Sequence, residues 1–234
     1  MKRLDLVRGA LARRSPALML TLALSLATLP ARAEPTSIPV PAAVKLAQGS
    51  ELWLEGTSTV HEYQSRTSEL ALVLLRDAAA PDPADVAALG AWLRSGNLRG
   101  LDLGVPLAPM RSGKAALDKN LLKALRASEF PEIRFKLTQS RIGAESGDTV
   151  AVTAEGVLRV AGRERPITVA GRLVKAEAGV WLEGRHALKM TEYDVKPPTM
   201  MLGTLRVHDP VVVHFRLLLA PGAPAGAVNA ESRH

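Results

Sequence analysis

Apolar and polar residues alternate along most of the chain between Leu52 and Leu219, the period of strands that bury one face. Residues 52–57 open the pattern, and Leu70, Leu72 and Leu74 carry the next clear run. Leu101, Leu103, Val105 and Leu107 share a face opposite Asp102, Gly104 and Pro106, while Ile133, Phe135 and Leu137 alternate with Arg134 and Lys136. Val150, Val152, Ala154, Gly156, Leu158 and Val160 form one face of a longer strand, followed by Ile167, Val169, Gly171 and Leu173. Gly162-Arg163-Glu164 between these two runs predicts a hairpin connection, with glycine supplying the unusual backbone angles. Residues 180–189 and 211–219 complete the set.

Two segments switch to the helical period. Over residues 82–94, Asp82 is the expected cap, with Pro83 at the first helical position. Over residues 114–127, Leu121, Leu122 and Leu125 recur on one face, and Lys119, Lys123 and Arg126 take the other. Pro131 is expected to stop this second helix, because the residue before a proline is pushed out of the α region. A helix beside strands in such a chain serves as a plug or side wall for a barrel.

These elements predict a mainly β fold: an antiparallel barrel of about eight strands with one or two short helices. Closure would remove the edge strands that otherwise template aggregation. An eight-stranded barrel is just wide enough to be filled by its own side chains or to hold one small ligand. Alternation alone leaves both open. Gly156 and Gly171, on apolar faces, either leave room inside or mark bends. The regular apolar faces nominate Leu101, Leu103, Val105, Ile133, Phe135, Val152, Leu158, Val169 and Phe215 as lumen residues, and a register error of one would turn any of these faces outward.

The termini change how the composition reads. A basic stretch ending near Arg14, an apolar run of 13 residues from Ala17 to Leu29, and Ala31-Arg32-Ala33 predict a signal peptide over residues 1–33, cleaved after Ala33. The apolar run is too short to span a bilayer comfortably. Residues 34–50, with Pro35, Pro39 and Pro41, read as an irregular leader. Residues 51–220 read as one barrel domain and 221–234 as a disordered tail. The net charge of +7 belongs mostly to the signal peptide, since residues 1–33 hold six basic residues and one acid, leaving 24 against 22. With that correction, and only eight aromatic residues, nucleic acid is discounted as a partner. The chain has no cysteine, so disulfides, thiol nucleophiles and lipid attachment through cysteine are excluded. The mature protein is expected to be exported, to the periplasm.

A search for chemistry returns little. Gly56-Thr57-Ser58-Thr59-Val60-His61 begins like a nucleophile elbow, but Val60 stands where the second glycine belongs. A polar bend whose hydroxyls cap backbone groups is the preferred reading. A hydrolase using Ser58 and His61 lacks an acid and an oxyanion hole. The histidines, His61, His186, His208, His214 and His234, show no zinc spacing. No phosphate-cradling glycine loop or dinucleotide fingerprint is present. No catalytic residue, metal or cofactor is therefore assigned. Trp53-Leu54-Glu55-Gly56 recurs as Trp181-Leu182-Glu183-Gly184, too short a match to establish a repeat.

Four stretches together resemble the YceI-like family. They are Gly56 through Tyr63; Asp118 through Phe135, with its Leu-Lys-Ala, Pro131 and Ile-x-Phe elements; Ala154 through Gly162 before Arg165-Pro166-Ile167; and Pro197-Pro198-Thr199 with Gly203 before the final strand. The resemblance spans roughly residues 52–219. It implies an exported bacterial protein with an extended lipocalin-like barrel, of a family whose members bind polyisoprenoid or similar amphiphilic lipids. The expected function is a non-catalytic carrier holding an isoprenoid, quinone or fatty-acid-like molecule in the lumen. The alternative is an envelope structural or interaction protein with a side-chain-filled barrel.

Overall fold

The computed structural model describes residues 38–200 and 205–223. The expected signal peptide and the end of the expected tail lie outside them. Twelve strands form one sheet among the described residues. In chain order they are β1 (Val40–Pro41), β2 (Val44–Leu46), β3 (Glu51–Ser58), β4 (Glu62–Thr67), β5 (Ala71–Arg76), β6 (Leu98–Pro106), β7 (Glu132–Ser146), β8 (Thr149–Val160), β9 (Arg163–Ala176), β10 (Gly179–Lys189), β11 (Thr199–Met200) and β12 (Leu205–Pro221). Helix α1 (Val86–Arg94) lies between β5 and β6, helix α2 (Ala115–Ala124) between β6 and β7, and a 3-10 turn (Met190–Tyr193) follows β10.

The fold is mainly β, a curled antiparallel sheet making a partial barrel, with two short α-helices. Its strand order is β1-β5-β6-β7-β8-β9-β10-β12-β3-β4, with β2 and β11 pairing at opposite ends of β12. All eight strands expected from alternation are present. Four more were not legible. β4 starts at the end of what reads as a polar bend, in residues without apolar alternation, and it pairs with β3 from Leu52↔Thr67 to Thr57↔Glu62. β1 and β2 fall in the segment read as an irregular leader. Their prolines sit at or beside very short strands, where a missing N–H removes little pairing.

The barrel does not close by a ladder between β4 and β5. Instead, two straps bridge the seam. At one end, β1 pairs with Leu75 and Arg76 of β5, and β2 pairs with Leu219, Ala220 and Pro221 of β12. At the other, Arg66 of β4 exchanges backbone hydrogen bonds of 2.8 and 2.9 Å with Arg111, in the loop before α2.

Each end of the barrel is plugged. Leu89, Trp92 and Leu93 of α1 are buried against Val44, Leu74, Val150, Leu173, Val180 and Leu219. At the α2 end, Leu107, Met110, Leu125, Val160, Tyr193 and Val195 form a second buried cluster, with Leu121 and Leu122 packed on it. The β8–β9 hairpin at this end turns on Ala161 and Gly162, with φ of +48° and +82°. Arg163 already belongs to β9, so the two-residue connection lies one position earlier than the sequence suggests.

Both helix termini depart from expectation. Asp85, not Asp82, caps α1, accepting from Ala88 N at 2.7 Å. Asp82 instead accepts from Ala43 N at 2.8 Å and from Arg76 Nε and Nη2 at 2.8 and 3.1 Å, pinning the β1–β2 strap to β5. Helix α2 ends well before Pro131. Arg126 turns left-handed at φ +52° and Ala127 N donates back to Leu122 O at 2.9 Å, a Schellman-type stop. The Arg126 guanidinium then donates to Ala161 O and lies 4.7 Å over the Phe130 ring, tying α2 to the hairpin.

These roles separate two neighbouring aspartates. Asp85→Ala removes one cap and should cost about 1 kcal/mol. Asp82→Ala strands part-buried donors on two elements and should cost about 2–3 kcal/mol, a Tm fall of roughly 5–10 °C by thermal unfolding. Equal losses in the two variants would contradict the strap assignment.

Candidate functional site

Inside the curled sheet lies an apolar cavity of about 230 Å³. All nine residues nominated from alternation line it: Leu101, Leu103 and Val105 from β6, Ile133 and Phe135 from β7, Val152 and Leu158 from β8, Val169 from β9 and Phe215 from β12. The interior is not filled by side chains. Leu103, Val105 and Leu217 are buried at the waist, whereas Val152 and Val169 are only half-buried.

Three close approaches shape the waist. A Cβ on Gly184 would fall 2.5 Å from the Phe215 ring, its register partner on β12. A Cβ on Gly56 would run into the ring of its partner Tyr63, and one on Gly156 would run into both the Lys136 carbonyl and the Phe135 ring. Aromatic rings therefore sit against bare glycine backbone on the cavity wall. Gly171 serves closeness of backbone instead, since its added Cβ would meet Glu183 O at 2.7 Å.

The wall contains few polar groups, namely Tyr63, Ser140, His186 and Tyr193. Burial lowers the His186 pKa from its ordinary 6.5, with a backbone hydrogen bond at Thr168 and the charge of Glu192 acting against it. Burial raises the phenols of Tyr63 and Tyr193 above their ordinary 10.0. All three side chains are neutral near pH 7, so the wall carries no charge to repel an apolar chain. His186 and Tyr63 were missed in the sequence. The first was legible, because Leu182, Gly184, His186 and Leu188 share one face of β10.

The outer face carries the charge. Glu183 takes Arg172 through two nitrogens at 3.0 and 2.9 Å and Arg216 at 2.9 Å, while Arg216 lies 4.1 Å over the Trp181 ring. On the other flank of β12, Glu55 accepts from Trp53 and Gln64 at 3.1 Å each and contacts His214 Nε2 at 3.0 Å. His214 stacks on Trp53 at 4.9 Å. The two Trp-Leu-Glu-Gly segments thus flank the same strand in the same orientation. Each sends Trp and Glu outward and Leu and Gly inward.

Ser58 and His61 do not form a catalytic pair. Ser58 Oγ donates to the His61 carbonyl at 2.7 Å and accepts from His61 N at 3.2 Å, within its own turn. Among the described residues, no group of three or more His, Asp and Glu gathers as a metal site.

A search of curated proteins gives no match. BcnA of Burkholderia cenocepacia superposes with a TM-score of 0.56 at 14% identity, covering 75% of this chain and 99% of that one. A polyisoprenoid-binding domain of Saccharophagus degradans, implicated in plant cell wall breakdown, gives the same score and identity, covering 77% and 99%. At that identity these likenesses speak for the fold. The YceI-like domain matches residues 58–219, from the end of β3 to the closing strand, and the chain belongs to the YceI-like family.

Proposed function

We propose that this protein is an exported, non-catalytic carrier that holds the apolar chain of an isoprenoid, quinone or fatty-acid-like molecule in the lumen of its barrel. One observation carries this reading: an unfilled cavity whose wall is apolar and whose few polar groups are neutral. Each buried methylene contributes roughly 0.8 kcal/mol, so about ten of them supply a gross affinity near micromolar before ordering costs. Few polar contacts are needed to orient such a ligand. Residues 1–33 would direct export to the periplasm and be removed after Ala33. The resemblance to a polyisoprenoid-binding domain supports the same class of ligand.

Filling the lumen tests the proposal. Val152 and Val169 are half-buried on the cavity wall, so tryptophan at either has room to enter. Val152→Trp and Val169→Trp should weaken binding of a fluorescent farnesol analogue by about tenfold or more while moving Tm by only a few degrees. A wild type that never binds the probe, with variants destabilised by overpacking, would instead describe a self-filled barrel.

Acidification tests the neutrality of the wall. The pKa of His186 is lowered in the folded protein, so the unfolded chain takes up the proton first as pH falls. This part of the stability is complete above the ordinary value of 6.5 and is lost as pH falls through the lower folded value. An apolar ligand against His186 favours the neutral ring further, so affinity for the probe should drop on the same descent. His186→Gln should flatten that drop. A wild-type profile that stays level from about pH 7.5 to 5 would contradict the assignment.

A further inference from the structure

The positive charge of this chain is gathered in one place. Residues 111–126 hold five basic residues, Arg111, Lys114, Lys119, Lys123 and Arg126, against one acid, Asp118. The rest of residues 34–234 carries nineteen basic residues against twenty-one acids, so this segment alone turns the expected mature chain positive. It covers the loop before α2, all of α2 and the turn that ends it.

Packing decides which way that charge points. Leu121, Leu122 and Leu125 face the barrel end and pack in the cluster around Met110 and Tyr193. Asp118 is half-buried and accepts from Ser112 N and Oγ at 2.7 and 2.6 Å, so the one acid is held on the inner side. Lys119 and Lys123, four residues apart, are exposed on the outer face of α2, and Lys114 is exposed at its entry. The three ammonium groups make no ion pair or hydrogen bond among the described residues. On the outer surface of the sheet, by contrast, Arg172 and Arg216 are both held by Glu183. Of the acids at the α2 end, Glu129 lies 3.9 Å from Arg126, Asp194 pairs with Arg163, and Glu62 stands across a cleft from Lys114. An apolar tip stands at the same end. Val60, in the β3–β4 turn, is 68% exposed, and the cleft that Glu62 shares with Lys114 and Leu117 sets this turn beside the start of α2.

We propose that this end of the barrel, with the outer face of α2 at its centre, docks on an anionic lipid bilayer. Lysines carry compact point charges on flexible stems, which suits the diffuse phosphate field of a leaflet. A protein partner would call for the rings and arginine forks that build interface centres, where lysine is depleted. Val60 enters the head-group layer shallowly, while Lys114, Lys119 and Lys123 stay at the level of the phosphates. Docking of this kind sets the α2 plug, and the cavity beneath it, against the membrane. The face is separate from the lumen, whose wall includes none of the three lysines.

Co-sedimentation of the mature protein with vesicles tests the face. Wild type should pellet with vesicles of one part phosphatidylglycerol to two of phosphatidylcholine, and stay in solution with phosphatidylcholine alone. Raising the salt from about 0.05 to 0.5 M should weaken binding about tenfold or more, because screening shortens the reach of each charge. Lys119→Gln with Lys123→Gln keeps good helix formers at both positions and should weaken binding about ten- to thirtyfold, roughly fivefold per charge. Lys45→Gln with Lys175→Gln removes the same charge from exposed positions at the α1 end, and should change binding by no more than about twofold. Val60→Ser should weaken it about threefold. Thermal melts of all these variants should stay close to wild type. Val152→Trp, which fills the lumen, should leave vesicle binding unchanged, so the carrier reading and the docking face fail separately. Equal binding to neutral vesicles, or the same loss from the α1-end pair as from the α2 pair, would overturn the docking face. Retention on polyglutamate but on no anionic vesicle would give the lysines to an acidic protein, and would overturn it as well.

Discussion

Strands β4 and β5 have no ladder between them, and much of the architecture answers that gap. An unpaired edge leaves N–H and C=O groups open and gives a curled sheet no reason to stay curled. Here the β1–β2 strap crosses from β5 to β12 at one end, and the Arg66–Arg111 bridge ties β4 to the pre-α2 loop at the other. Asp82 matters for this reason: it joins Ala43 of the strap to Arg76 of β5 with three hydrogen bonds. In a chain with no cysteine, such backbone and part-buried polar contacts hold the barrel shut together with the two helix plugs.

Closure alone would give a solid core. On the cavity wall glycine stands against aromatic rings, Gly184 against Phe215, Gly56 against Tyr63 and Gly156 against Phe135, where any Cβ would collide. Each pair keeps the apolar area of an aromatic residue while pressing its bulk against backbone. Charge is kept outside by the same alternation, with Glu55 and Glu183 gathering arginine, tryptophan and histidine on the outer surface of β3, β10 and β12. The inner and outer faces of a single strand thus do opposite electrostatic work.

Much of this was legible in the sequence because period-two alternation is a direct record of one buried face. Every nominated residue, from Leu101 to Phe215, lines the cavity, since no strand slipped by one position at those sites. The rest required tertiary context. Glu62-Tyr63-Gln64-Ser65-Arg66-Thr67 carries only polar or amphipathic residues, so β4 shows no apolar face, yet Tyr63, Ser65 and Thr67 turn inward. Asp82 has the chemistry of a cap and is diverted by Arg76 at the end of β5 and by the backbone N–H of Ala43 in the strap, pairings that neither the helical nor the strand period marks. Arg126 ends α2 in a left-handed turn that side chains seldom adopt, and its contacts with Ala161 and Phe130 come from packing. Whether the glycines opened a lumen or bent strands also depended on which ring lay opposite each one.

If the waist cavity holds a lipid chain in the working protein, the protein should leave the cell with that chain bound. Native mass spectrometry of the chain expressed with its full leader and purified from the periplasm of a bacterial host tests this most directly, followed by solvent extraction. A carrier should show a discrete adduct of long-chain mass that organic solvent releases. A bare polypeptide mass, unchanged after incubation with isoprenoids, quinones and fatty acids, would contradict it.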